Sequence, residues 1–127
     1  MAQVRILIVI VLAGSVGFDM KIAKIELDNG FSIAVRDDQL PLTIGRSKSC
    51  DIRISEPFIS RFHCELFLKT GRTIWLKDLS TNGTRVNNRT VAGESVPINR
   101  RSAVSFAADC CLTVIPTDDS GQTLVPF

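Results

Sequence analysis

From Lys21 onward, apolar and polar side chains alternate with a period of two, and no other feature constrains the fold of this chain as tightly. Successive strand residues point to opposite faces of a sheet, so period two marks half-buried strands. Ala23, Ile25 and Leu27 alternate with Ile22, Lys24 and Glu26, and Phe31, Ile33 and Val35 alternate with Ser32, Ala34 and Arg36. The turn signal Asp28-Asn29-Gly30 between these runs predicts a hairpin. Further short strands are expected over residues 42–44, 52–54, 64–69 and 73–77, the last two joined by Thr70-Gly71-Arg72. Phe67 and Trp75 fall on the face opposite Leu66, Leu68, Ile74 and Leu76. Both faces are therefore partly apolar, as where two sheets pack together. Val104, Phe106, Leu112, Val114 and Ile115 supply a late hairpin around Ala107-Ala108-Asp109. No window carries a helical stripe longer than two turns, so the expected class is all-β, a sandwich of short strands.

At 127 residues, 45% of them hydrophobic, the chain has the length and composition of one globular domain. Its net charge of +2 is too small to argue for nucleic acid as a partner. Cys50, Cys64, Cys110 and Cys111 show no C-x-x-C spacing, and only His63 could be added to them, so no metal site is expected. Cys110 and Cys111 are adjacent and should face opposite sides of a strand. The four read as buried free thiols in a reducing, cytoplasmic setting.

Residues 1–19 stand apart. Residues 6–13 are unbroken apolar, short of the about 20 residues that a membrane-spanning helix takes. Three readings stand open: an export or anchoring signal after Arg5, which would make the protein membrane-associated; an extra β-branched strand; or a mis-assigned start, with Met20 the true one. The expected organisation is this segment at 1–19, a β-domain at 20–116 and a short polar tail at 117–127, which should fray.

Four short signals fall in order inside the β-region: Gly45-Arg46, Ser60-Arg61-Phe62-His63, Ser80-Thr81-Asn82-Gly83-Thr84, and Val86 followed by Asn87. Singly each is ordinary: a solvated arginine, a loop serine with a local turn bond, a tight Asn-Gly turn. Together they put a guanidinium, several hydroxyls and an amide in loops that interrupt short strands. Glycine at the end of a strand, as at Gly45, suits a backbone conformation closed to other residues. Arg46 offers a planar fork of donors suited to phosphate oxygens. The hydroxyl and backbone N–H of Ser60 can both donate to one such oxygen. The Thr81 hydroxyl can meet another, and the Asn82 amide can grip a partner's main chain. Ser60 and His63 also suggest a hydrolase pair, yet no Gly-x-Ser-x-Gly elbow precedes Ser60 and no acid is placed to orient the ring. His63 fits better as a structural hydrogen-bonder that holds the Ser60 loop. No catalytic residue is assigned.

The stretches LTIGRSKSCDI, ISRFHCEL and LKDLSTNGTRVN, in this order and at these intervals, resemble the signature blocks of the forkhead-associated (FHA) domain family. The motif region covers about a third of the chain, and the flanking strands extend the match from Lys21 to about Ile115. The resemblance implies a β-sandwich of two twisted sheets with about eleven strands, whose loops at one end bind phosphothreonine peptides without a cofactor. By motif position, Arg46 and Ser60 would hold the phosphate with Thr81 assisting, Arg61 would meet the peptide or phosphate, and Asn82 would bond the peptide backbone. Gly45 and His63 would shape the site, and Gly83 and Asn87 would set its turns. One departure is Asn99-Arg100-Arg101-Ser102, which replaces the Gly-Asp turn often seen before the late strands.

A phosphothreonine carries roughly −1.5 to −2 charges at pH 7 and three acceptor oxygens, which these donors match. The implied function is a non-catalytic phosphothreonine reader in Ser/Thr-kinase signalling, its partner a phosphorylated kinase or kinase substrate. The alternative is a phospho-independent scaffold of the same fold that docks through a sheet face.

Overall fold

The computed structural model describes residues 6–8, 21–28, 30–69, 73–107 and 110–117. Twelve strands are found among them: β1 Ile6–Ile8, β2 Lys21–Leu27, β3 Ser32–Arg36, β4 Leu42–Gly45, β5 Ile52–Ile54, β6 Cys64–Lys69, β7 Thr73–Asp78, β8 Thr84–Val86, β9 Arg89–Val91, β10 Ser95–Ile98, β11 Ser102–Ala107 and β12 Cys110–Pro116. A 3-10 turn at Asp37–Gln39 is the one helical element described. The strands build two six-stranded sheets, ordered β1-β5-β4-β6-β7-β10 and β3-β2-β12-β11-β8-β9. All pairings are antiparallel except β4 with β5, where Ile44 pairs with Ile52 and Gly45 with Arg53. The eleven strands from β2 to β12 make the expected two-sheet sandwich. No helix among the described residues is long and apolar enough to cross a membrane.

The alternation places the core. Ile25, Leu27, Val35, Ile44, Ile52, Leu66, Leu76, Val104, Leu112 and Val114 belong to one buried cluster between the sheets. Phe67 and Trp75 pair across β6 and β7 on the outer face and are half-buried there, as their phase requires. Lys69 Nζ lies 3.7 Å above the Trp75 ring, so the lysine stem covers part of this face. The period slips at one place. Ile22, assigned by alternation to the polar face of β2, is buried next to Ala23, and the β2–β3 register shifts between Lys21 and Ala23. A bulge of this kind turns two consecutive side chains inward.

Three strands escaped the sequence reading. β8, β9 and β10 are three or four residues long, and β10 contains Pro97. β8 and β9 carry a single apolar residue each, so no alternation shows, and proline signals a break; its strand is tolerated because β10 is a sheet edge. The hairpin tips at 70–72 and 108–109 lie outside the described residues, as do 9–20 and 118–127. Thr117, assigned to a fraying tail, is tied down: its N–H donates to Ile22 O at 2.9 Å and its hydroxyl to Lys21 O at 2.9 Å. Ile6–Ile8 pairs antiparallel with β5, so the backbone of these three residues forms an edge strand. The four cysteines are free thiols, and Cys110 and Cys111 do take opposite sides of β12, but Cys111 is half-buried rather than buried. Its thiol reaches Asp28 Oδ1 at 3.2 Å.

Candidate phosphopeptide-binding site

Three loops meet at one end of the sandwich: residues 46–51 between β4 and β5, 55–63 between β5 and β6, and 79–83 between β7 and β8. Backbone hydrogen bonds lock the first two together. Arg46 N–H donates to Ser60 O at 3.0 Å, Ser47 N–H to Arg61 O at 2.9 Å and His63 N–H to Ile44 O at 2.8 Å. The Cys50 thiol also donates to Arg61 O, at 3.2 Å. Burial pushes that thiol up, outweighing the hydrogen bonds that lower it, which keeps it a neutral donor.

Gly45 permits this seam, for a different reason from the one its sequence position suggests. Its φ is not positive, unlike those of Gly30, Gly83 and Gly93. What it supplies is closeness: a Cβ there would overlap Arg61 O and stand 2.8 Å from His63 N and 2.9 Å from the Arg61 carbonyl carbon. All three are backbone atoms, which no rotamer change can clear.

His63 joins the second loop to the third. The ring is 1% exposed and meets Phe106 of β11 edge-on, centroids 5.1 Å apart at 89°. Its Nδ1 accepts the Ser60 N–H at 3.2 Å, which fixes the neutral tautomer with the proton on Nε2, and Nε2 donates to Gly83 O at 3.2 Å. Burial drives its pKa below 6.5, against the Gly83 carbonyl and the Asp78 charge, which raise it. Both ring nitrogens are thus engaged by backbone groups, and the Ser60 hydroxyl pairs instead with the Thr81 N–H at 3.2 Å. A Ser60–His63 nucleophile pair does not form. The expectation that the Ser60 N–H also serves the ligand is corrected as well, because His63 takes that proton.

Asp78, to which the sequence reading gave no role, organises the third loop. Its carboxylate is buried at the end of β7 and accepts from Ser80 Oγ at 2.6 Å, Thr84 Oγ1 at 2.7 Å, Ser80 N–H at 3.2 Å and Gly93 N–H at 2.8 Å. Burial alone would raise its pKa, but these donors together hold it below the ordinary 3.8. The Ser80 oxygen in turn accepts the Gly83 N–H at 2.8 Å, closing the turn that carries Thr81 and Asn82. Asp two residues before Ser is an Asx-turn signal, and it was available in the sequence.

The result is a cleft of about 620 Å³ lined by Arg46, Ser60, Arg61, Thr81 and Asn82 with the apolar Pro57, Phe58, Ile59, Phe62 and Leu79. Arg46 Nε is anchored to Ile59 O at 3.0 Å, which steadies the guanidinium. Among the described residues its two terminal nitrogens, the Arg61 guanidinium, the Thr81 hydroxyl and the Asn82 amide have no hydrogen-bond partner. Ser60 Oγ accepts from Thr81 and so keeps its own proton to donate. Asn87 does not reach this cleft. With φ +51°, and Asn88 at +68°, it forms the two-residue turn between β8 and β9. Its side chain clamps β11 through Ala103 N–H at 2.9 Å and Ser102 Oγ at 3.2 Å. Lys48 and Arg53 do not line the cleft; Arg53 Nε donates to Arg46 O at 3.1 Å.

Comparison with known proteins agrees with this fold. The family model described as FHA domain matches residues 42–107, and the chain belongs to that family. It is 35% identical over 75 residues to the DNA damage response protein kinase DUN1 of Saccharomyces cerevisiae, a match covering 54% of this chain and 15% of that protein. It is 31% identical over 94 residues to the probable serine/threonine-protein kinase fhkC of Dictyostelium discoideum, covering 70% of this chain and 14% of the relative. The chain thus spans about one seventh of the length of these relatives. Among solved structures it is similar to one from a structural and functional analysis of phosphothreonine-dependent FHA domain interactions, with a TM-score of 0.62 and 27% identity over 73% of this chain and 94% of the other.

Proposed function

We propose that the domain at residues 20–116 is a non-catalytic reader of phosphothreonine in partner proteins, acting in Ser/Thr-kinase signalling. One observation carries the reading: the donors of Arg46, Ser60, Arg61, Thr81 and Asn82 stand around a single cleft, on loops locked to one another by His63 and the close approach at Gly45, the third of them closed by Asp78. In this reading Arg46 and Ser60 hold the phosphate oxygens, Thr81 assists, Arg61 adds charge, and Asn82 bonds the peptide main chain. Because the loop backbones and Arg46 Nε are held before the ligand arrives, the ordering cost on the protein falls mainly on the side chains of Arg61, Thr81 and Asn82. Charge-assisted hydrogen bonds contribute about 1.5–3 kcal/mol each. A few of them, set against the ordering of a flexible peptide, give binding near about −8 kcal/mol, or micromolar. That strength suits a reversible switch.

The partner in this proposal is a Ser/Thr kinase or its phosphorylated substrate, and the four free thiols accord with a reducing, cytoplasmic setting. The test is a fluorescence-anisotropy titration against degenerate phosphothreonine, phosphoserine and unphosphorylated peptide pools. Saturable binding to the phosphothreonine pool, weakened at least tenfold by Arg46→Ala or Ser60→Ala, is expected. Equal binding to the unphosphorylated pool would remove the proposal.

A further inference from the structure

Scattered apolar side chains on a surface need no explanation, but a cluster does. Four large apolar residues are exposed among the described residues: Phe31, Phe58, Phe62 and Leu79. Three of these, all but Phe31, line the same cleft as Arg46 and Ser60. Their spacing ties them to the phosphate-binding groups. Phe58 and Phe62 each stand two residues from Ser60, and Leu79 stands two residues before Thr81. Two residues of extended chain reach about 7 Å. The same distance along a bound extended peptide is about two residues, so this rim faces positions within about three residues of the phosphothreonine.

The backbone beneath the rim is held firmly. Ile59, between Phe58 and Ser60, is 1% exposed, and its carbonyl anchors Arg46 Nε. Leu79 N–H donates to His63 O at 2.8 Å, and the next residue but one before His63 is Arg61, whose carbonyl is fixed by Ser47. Three apolar side chains held in water beside a cationic cleft gain by being covered, and a peptide seated on Arg46 brings its neighbouring side chains over them. A cationic neighbour would instead be desolvated against Phe58 or Phe62 beside the like charges of Arg46 and Arg61.

We propose that Phe58, Phe62 and Leu79 form a specificity surface that selects, among phosphothreonine peptides, those with a large aliphatic or aromatic side chain within three residues of the phosphothreonine. This rests on the phosphate-reading function, and the test separates the two. The full chain is titrated by anisotropy with labelled phosphothreonine pools whose three flanking positions on either side are drawn from Leu, Ile, Met and Phe or from Ser and Gly, together with an unphosphorylated copy of the first pool. The apolar pool is expected to bind about tenfold tighter than the Ser/Gly pool, and the double variant Phe58→Ser, Phe62→Ser to lose most of that margin while unfolding at the wild-type temperature. Equal affinity for the apolar and Ser/Gly pools, with both lost in Arg46→Ala, overturns the selectivity and leaves phosphate reading intact. Failure of folded protein to bind any phosphorylated pool overturns both. Equal binding of the phosphorylated and unphosphorylated apolar pools also overturns both, because the rim would then act without the phosphate.

Discussion

Replacing Gly45 with alanine adds one methyl group and should break the seam on which the site is built. At most strand positions with an ordinary φ this exchange is neutral or slightly stabilising, by about 0.4–1 kcal/mol, because it restricts the unfolded chain. Here the new Cβ overlaps Arg61 O and stands 2.8 Å from His63 N and 2.9 Å from the Arg61 carbonyl carbon. The last two are roughly 1 Å inside ordinary contact distance. Relief requires β4 and the Arg61–His63 backbone to separate, which stretches His63 N–H to Ile44 O, now 2.8 Å, and Ser47 N–H to Arg61 O, now 2.9 Å. Overpacking costs about 1–3 kcal/mol. Two weakened hydrogen bonds add about 1 kcal/mol each at most. The expected loss is about 3 kcal/mol, which lowers the midpoint of thermal unfolding by roughly 10 °C or more. Urea unfolding followed by circular dichroism and by the fluorescence of Trp75, the single tryptophan, measures it. Phosphopeptide affinity should fall as well, because Arg46 and Ser60 stand on either side of the seam. A Gly45→Ala protein within about 0.5 kcal/mol of wild type would refute the close-approach argument.

The same network gives four further expected outcomes. Asp78→Ala leaves the Gly93 and Ser80 N–H groups and the Thr84 hydroxyl without their acceptor and should cost about 3–5 kcal/mol by urea unfolding. Because Asp78 titrates below 3.8 in the folded state, the stability it contributes is present above that pH and lost as the pH falls through the lower folded value; Asp78→Asn should lack this acid phase. His63 titrates below 6.5 when folded, so the unfolded chain takes up a proton first, and stability should fall as pH drops from 6.5 toward the folded value; urea midpoints at pH 7.5 and 5.5 should differ in wild type and differ less in His63→Gln. Asn87→Ala, at φ +51° and with two side-chain bonds lost, should cost about 2 kcal/mol of stability while phosphopeptide affinity in the folded protein stays at the wild-type value.

Much of this molecule was legible in its sequence because alternation and burial share one cause. The strands that carry long apolar–polar alternation, β2, β3, β6 and β7, were read nearly to their ends. The late hairpin was placed from Val104, Phe106, Leu112 and Val114. β4 and β5, equally short, show two apolar residues around a polar one, whereas β8 and β9 hold one apolar residue each and β10 holds a proline, so these three were not read. The loop residues Arg46, Ser60, Arg61, Thr81 and Asn82 could be singled out by their chemistry and order, and they line one cleft. His63 was read as holding the Ser60 loop, and it does, but the rest of how the loops are held could not be read from order alone. Gly45 reads as a conformational glycine, but its role is to let two backbones touch. Asn87 reads as a turn residue and does form the β8–β9 turn, but its side chain also clamps that turn to β11. Asp78 passes for a surface acid until its four donors are seen around it.

The central claim is that this cleft takes a peptide because of its phosphate. An NMR titration of the ¹⁵N-labelled chain with a phosphothreonine peptide and its unphosphorylated twin tests it most directly. Shifts are expected at the backbone amides of Arg46, Ser60, Thr81 and Asn82 with the phosphorylated peptide, none with the twin, and little change at Phe67 and Trp75 on the outer sheet face. Equal shifts from both peptides, or shifts confined to the Phe67–Trp75 face, would contradict it and point to a phospho-independent scaffold.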